Sequence, residues 1–68
     1  MSDLLRDTNT SQRIKGILGA RGATLKDLSM VLSVTPQTIY SRMASDDWSI
    51  EDIKKIAAEY NVDPRDLI

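Results

Sequence analysis

The chain has no cysteine and no histidine. Their absence removes disulfides, thiolate nucleophiles, imidazole bases and every Cys- or His-based metal site at once. Carboxylate, hydroxyl and amine chemistry remains. No apolar run is longer than a few residues, which excludes a membrane-spanning helix and a signal-peptide core and points to a cytoplasmic protein. Glycine is scarce, and its three occurrences, Gly16, Gly19 and Gly22, follow no strand. A phosphate-cradling loop needs a glycine-rich turn between a strand and a helix, so that function is set aside. Neither sign of charge prevails: nine Lys and Arg against ten Asp and Glu give a net charge of -1 and a pI near 5.1. At face value that balance argues against a nucleic-acid partner.

What is present is enough to fold. Sixty-eight residues leave room for one small domain and exclude a multi-domain enzyme. A hydrophobic content of 41% with 28% charged residues suits a globular domain, whereas disorder goes with lower apolar content or a stronger charge imbalance. No pair of carboxylates stands isolated in an apolar setting, as acid/base catalysis requires, so no enzymatic activity is expected. The adjacent Asp46 and Asp47 lack the further clustered ligands that a metal needs. No cofactor or metal is expected.

Helix-start signals divide the chain. Thr24 with Asp27, Ser49 with Asp52, and Asp63 with Asp66 have capping-box spacing. Thr35-Pro36 and Asp63-Pro64 place proline at the first helical position, where it loses no helical hydrogen bond and already holds the right φ. Between these starts apolar residues recur at helical spacing: Ile14, Ile17 and Leu18; Leu25, Leu28, Val31 and Leu32; Ile39 and Met43; Ile50, Ile53, Ile56, Ala57 and Tyr60. The expected fold is all-α, with five helices near residues 11–21, 25–32, 36–44, 50–60 and 64–68 and Gly22 as a left-handed stop to the first. Helices this short depend on one shared core. Residues 1–10 are expected to form a flexible tail, with Leu4-Leu5 packing either on the domain or on a second subunit. Trp48 is placed as a hydrophobic staple before Ser49.

The segment Thr24–Met43, TLKDLSMVLSVTPQTIYSRM, carries the most information. It reads as two capped helices joined by a tight turn. Leu28 and Leu32 face inward, Val34 plugs the turn, Ile39 anchors the second helix, and Ser29 is small enough for a close helix crossing. At 100° per residue, Gln37 and Ser41 lie roughly 160° from Ile39, which leaves a polar face that the core cannot use.

Thr24, Leu28 and Ser29, then Val34, then Thr35, Thr38 and Ile39, then Ile56, Ala57 and Val62, and finally Asp66 and Leu67 follow one another at an ordered spacing. This pattern resembles the phage repressor and Cro-like, or XRE-type, helix-turn-helix family over about residues 12–68. The resemblance implies a compact lambda-repressor-like domain over 11–68 that binds duplex DNA with the helix starting at Pro36 in the major groove. It further implies base contacts from Thr35, Pro36, Gln37, Tyr40 and Ser41, with Gln37 matched to the N6 and N7 edge of adenine. Tyr40 has two roles open to it, contact with a phosphate or thymine methyl, or packing against the first helix. Lys26, Arg42, Arg13, Lys15 and Arg21 are the candidate phosphate contacts. The family's habit implies a repressor-like regulator of bacterial, phage or mobile-element origin, acting as a homodimer on a two-fold operator. The other reading is a helical protein-interaction module that kept the fold and lost DNA binding.

Two positions depart from the family pattern. An Arg of the first helix and a Glu near the end of the recognition helix are replaced together by Leu18 and Met43, as if an ion pair had become an apolar contact. The usual turn glycine is Ser33, which fits if the turn is not strictly left-handed or at a modest strain cost. Charge also divides along the chain. Residues 1–44 hold six basic and three acidic groups, or +3, and residues 45–68 hold three basic and seven acidic, or -4. A DNA-reading half and an acidic half turned away from DNA would reconcile the net charge with binding.

Overall fold

Asn9 caps the first helix. Its side chain accepts a hydrogen bond from the Gln12 N–H at 2.9 Å, an asparagine start outside the pattern of Ser, Thr and Asp caps. The computed structural model describes residues 9–68. Within them lie α1 (Thr10–Ala20), α2 (Leu25–Leu32), α3 (Pro36–Ser45), α4 (Ile50–Tyr60) and a closing 3₁₀ turn (Pro64–Asp66). The expected tail falls outside the described residues for positions 1–8, Leu4-Leu5 included, whereas Asn9 and Thr10 belong to the start of α1. No helix among the described residues is long and apolar enough to cross a membrane.

Among the described residues four α-helices form, not five. In place of the fifth, the Asp66 N–H bonds to the Asp63 carbonyl at 2.8 Å and the Leu67 N–H to the Pro64 carbonyl at 3.0 Å, both three residues apart. Asp63 caps the turn two residues ahead, at the Arg65 N–H, and these three bonds in one short turn leave no register for an α-helix. The guanidinium of Arg65 bonds to the same carboxylate, which holds Asp63 below its ordinary value. A depressed carboxylate supports the folded state above its unfolded pKa and loses that support as pH falls through the folded one.

The other caps match the sequence. Thr24 and Ser49 each close a capping box, with Asp27 and Asp52 returning a bond to the cap N–H. Thr35 accepts from the Thr38 N–H, and Pro36 follows at the first helical position. At the end of α1, Gly22 has φ +67°. The Gly22 N–H reaches the Gly19 carbonyl at 3.3 Å and the Ala23 N–H reaches Leu18 at 2.8 Å, the paired closure of a Schellman end.

Ser33 makes the same closure without being glycine. Its φ is 57°, its N–H bonds to the Met30 carbonyl, and the Val34 N–H bonds to Ser29. The turn between α2 and α3 is therefore left-handed, and Ser33 bears the strain that the sequence left conditional. Ser33→Gly should stabilise the domain by about 0.5–1 kcal/mol, strain relief being partly offset by glycine's greater unfolded-state entropy. The check is a rise in urea midpoint at constant m-value.

One core joins all elements. Ile14 and Leu18 from α1, Leu28 and Leu32 from α2, Ile39 from α3, Ile53, Ile56 and Ala57 from α4, and Leu67 beyond the 3₁₀ turn are buried together. Leu18 and Met43 join this one apolar body, Leu18 buried and Met43 half-buried, so apolar packing stands where the family pattern has charge. Ile50 departs from its helical stripe and is 62% exposed. It occupies the first position of α4, a turn before that helix reaches the core.

Buried Ser11 was not anticipated. Its N–H and its hydroxyl both donate to the Asp46 carboxylate, at 2.9 and 2.7 Å, and its oxygen accepts the Trp48 indole N–H at 2.9 Å. A loop between α3 and α4 thus caps α1 from 35 residues away. The carboxylate also meets the positive end of the α1 dipole. Trp48 does pack against the core, and its ring is further fixed by this bond.

Candidate nucleic-acid interface

The two-helix unit of α2 and α3 is held by Leu28, Leu32, Ile39 and half-buried Val34. Buried Ser29 supplies the close crossing; its hydroxyl donates to the Lys26 carbonyl at 2.6 Å. Burying Ile39 completely fixes the rotation of α3 about its axis. Thr35, Pro36, Gln37, Tyr40 and Ser41 are consequently all exposed. The structure brings these five candidates to one side of one helix.

The beginning of α3 favours an anion. No acidic side chain lies in its first turn, so the partial positive charge of its N-terminus is not offset locally. By contrast, α2 carries Asp27 in its first turn, with exposed Lys26 beside it. Thr35 has limited freedom as a contact, because its hydroxyl serves the Thr38 N–H and also meets the Thr38 hydroxyl at 2.9 Å. Gln37 and Ser41 make no side-chain bond among the described residues. They are the better placed to accept and donate to a base edge.

Tyr40 is 57% exposed. It borders a groove of about 440 Å³ shared with Asn9, Gln12, Lys15, Leu25 and Met43. The packing and ligand-contact alternatives for this ring therefore meet in one place: the ring flanks α1 and remains mostly accessible. Lys15 enters the same groove, and Gln12, which the sequence did not single out, lies beside it.

The five candidate cations are not equivalent. Lys15, Arg21 and Lys26 are exposed and form no ion pair among the described residues. Arg13 donates from Nη1 to the Ile68 carbonyl oxygen at 2.6 Å, and with Arg21 it borders a separate apolar depression with Ile17, Ala20 and Val62. Arg42 is paired with Asp52 across α3 and α4. That pair lies in a polar recess of about 420 Å³ with Thr38, Ser41, Ser45, Asp47 and Ser49.

This recess changes the electrostatic expectation. The acidic half of the chain is not wholly remote from α3, because the α3–α4 connection and the start of α4 bring Asp47 and Asp52 alongside Ser41. Short connections compel this, since only four residues separate α3 from α4. Among the described residues there is no cluster of three or more groups able to hold a metal ion.

A family model described as a Cro/C1-type HTH DNA-binding domain matches residues 13–68. No curated protein and no solved structure matches the chain.

Proposed function

The chain belongs to the Cro/C1-type helix-turn-helix DNA-binding family, and on that premise we propose that it is a sequence-specific, repressor-like transcriptional regulator that places α3 in the major groove. The observation that carries this reading is the joint exposure of Pro36, Gln37, Tyr40 and Ser41 on a helix whose first turn holds no acid. Gln37 reads a base edge, and Ser41 and Tyr40 extend the contact. Lys26, Lys15 and Arg21 supply phosphate contacts, while Arg13 and Arg42 are the candidates whose guanidinium groups are already engaged within the domain. The protein acts in the cytoplasm as a homodimer over half-sites about 34–36 Å apart. Its footprint on phosphate is short and its non-specific affinity modest, as the small excess of accessible cations requires.

Titration against a duplex library at several salt concentrations tests the proposal. Gln37→Ala should relax preference at one base pair by about 1–3 kcal/mol of discrimination while leaving other positions unchanged. Lys26→Ala should weaken all duplexes similarly and flatten the salt slope by about one phosphate. Equal effects of both variants on every sequence would contradict these roles. Absence of binding to any duplex at low salt would move the fold to the protein-interaction reading.

A further inference from the structure

Arg42 is a cation on the proposed reading helix that does not point freely into solvent. Its Nη1 bonds to Asp52 Oδ2. The same oxygen accepts the Ser49 N–H at 3.5 Å in the capping box of α4. Asp52 is therefore anchored twice, by its own helix start and by the arginine, and its side chain is only 14% exposed against 28% for Arg42. Ser41, one residue before Arg42, is exposed on the face assigned to DNA, and both line the recess that opens between α3 and α4. A phosphate approaching that recess meets a guanidinium whose charge is already neutralised by a fixed carboxylate.

Resting on the DNA-binding reading above, we propose that Asp52 is a positioning residue that limits the domain's affinity for DNA of any sequence: by holding Arg42 on α4 it withdraws one cation from the phosphate footprint. Phosphate contacts add affinity for every sequence alike, while base contacts distinguish among them. Withholding a phosphate contact from a small domain lowers its affinity for every duplex by the same factor and leaves the discrimination supplied by Gln37 and Ser41 unchanged. Asp52 acts through Arg42, not through DNA. The alternative role of the pair, simple cross-linking of α3 to α4, predicts a loss of stability on removal of Asp52 and no gain in duplex affinity.

Asp52→Asn tests this, since asparagine keeps an acceptor for the Ser49 N–H and removes the charge that holds Arg42. Binding to a random-sequence duplex is followed from low to moderate salt. The expected result is a several-fold tighter complex and a log–log salt slope steeper by about 0.9, one additional phosphate. In an Arg42→Gln background the same substitution should give no such steepening. Asp47→Asn, which removes a charge from the same recess without releasing Arg42, should give the smaller gain. Equal gains from Asp52→Asn in both backgrounds would overturn the proposal, because they would reflect net charge alone. Side-chain NMR of the free protein provides a readout without DNA: Arg42 guanidinium rotation should be slower than that of Arg21 and speed up in Asp52→Asn, and equal rates in the unmodified protein would overturn the proposal. A protein that bound no duplex would overturn the DNA-binding reading and the proposal with it, whereas binding with an unchanged slope in Asp52→Asn would overturn the proposal alone.

Discussion

Ile39→Ala is expected to destabilise the domain by about 2–5 kcal/mol, the usual cost of truncating a buried aliphatic side chain to alanine. Ile39 is fully buried and is the one residue of α3 that is. A chain of this length has on the order of 3–10 kcal/mol in total, at about 0.05–0.15 kcal/mol per residue. The substitution thus removes much of the stability, and a domain at the lower end of that range is left largely unfolded at room temperature. No second buried side chain on α3 can hold its rotation, so what remains folded should lose sequence preference along with stability. Urea denaturation followed by circular dichroism measures the first effect. Ile39→Val, expected to cost about 0.5–1.5 kcal/mol, provides a folded variant on which duplex preference can be read. A loss below 1 kcal/mol for Ile39→Ala would show that α3 is held by something other than this anchor.

The strength of that expectation follows from how openly the sequence writes its local structure. Thr24, Thr35 and Ser49 sit where an orphaned N–H three residues on needs an acceptor, and the structure satisfies those bonds as the spacing requires. The aliphatic stripes at three- and four-residue intervals likewise identify the core, because a short helix can bury only one face. Ile50 shows the limit of that reasoning. Periodicity gives direction around a helix axis but not position along it, and the first turn of α4 extends beyond the core. The final turn fails for a related reason: Asp63-Pro64 marks a start correctly, but three residues can close with bonds to the third residue as readily as the fourth.

For the interface, the legible part is the face of α3, since a buried Ile39 forces Gln37 and Ser41 outward by helix geometry alone. The charges were less legible. A cation's partner depends on which distant element folds over it, and neither the pairing of Arg42 with Asp52 nor the bond from Arg13 to Ile68 has a local signature. Summing charge over each half of the chain likewise treats sequence neighbours as spatial neighbours. The α3–α4 connection breaks that equivalence by bringing Asp47 and Asp52 back beside Ser41.

The same connection supplies the second large expected effect. Asp46→Ala should cost about 2–4 kcal/mol, because it deletes two hydrogen bonds to a charged acceptor and places a β-carbon without compensating polar contacts in a left-handed site. The Ser11 N–H, one of the unpaired donors at the start of α1, loses its acceptor, and the hydroxyl of this buried serine loses its only described acceptor. Asp46→Asn retains an acceptor oxygen and a residue that tolerates the φ of 55°, so its cost should be about 1 kcal/mol, that of exchanging a charged for a neutral acceptor. Asp46→Gly relieves the backbone strain but restores neither bond, and its difference from Asp46→Ala reports that strain less glycine's greater unfolded-state entropy. Trp48 is the sole tryptophan and donates to the same Ser11 hydroxyl, so its emission reports the network directly. Both Asp46→Ala and Ser11→Ala should alter that emission in the folded state, and their effects on stability should combine to less than additively. Additive costs with unchanged emission would place Asp46 outside the network and leave α1 to be positioned by Ile14 and Leu18 alone.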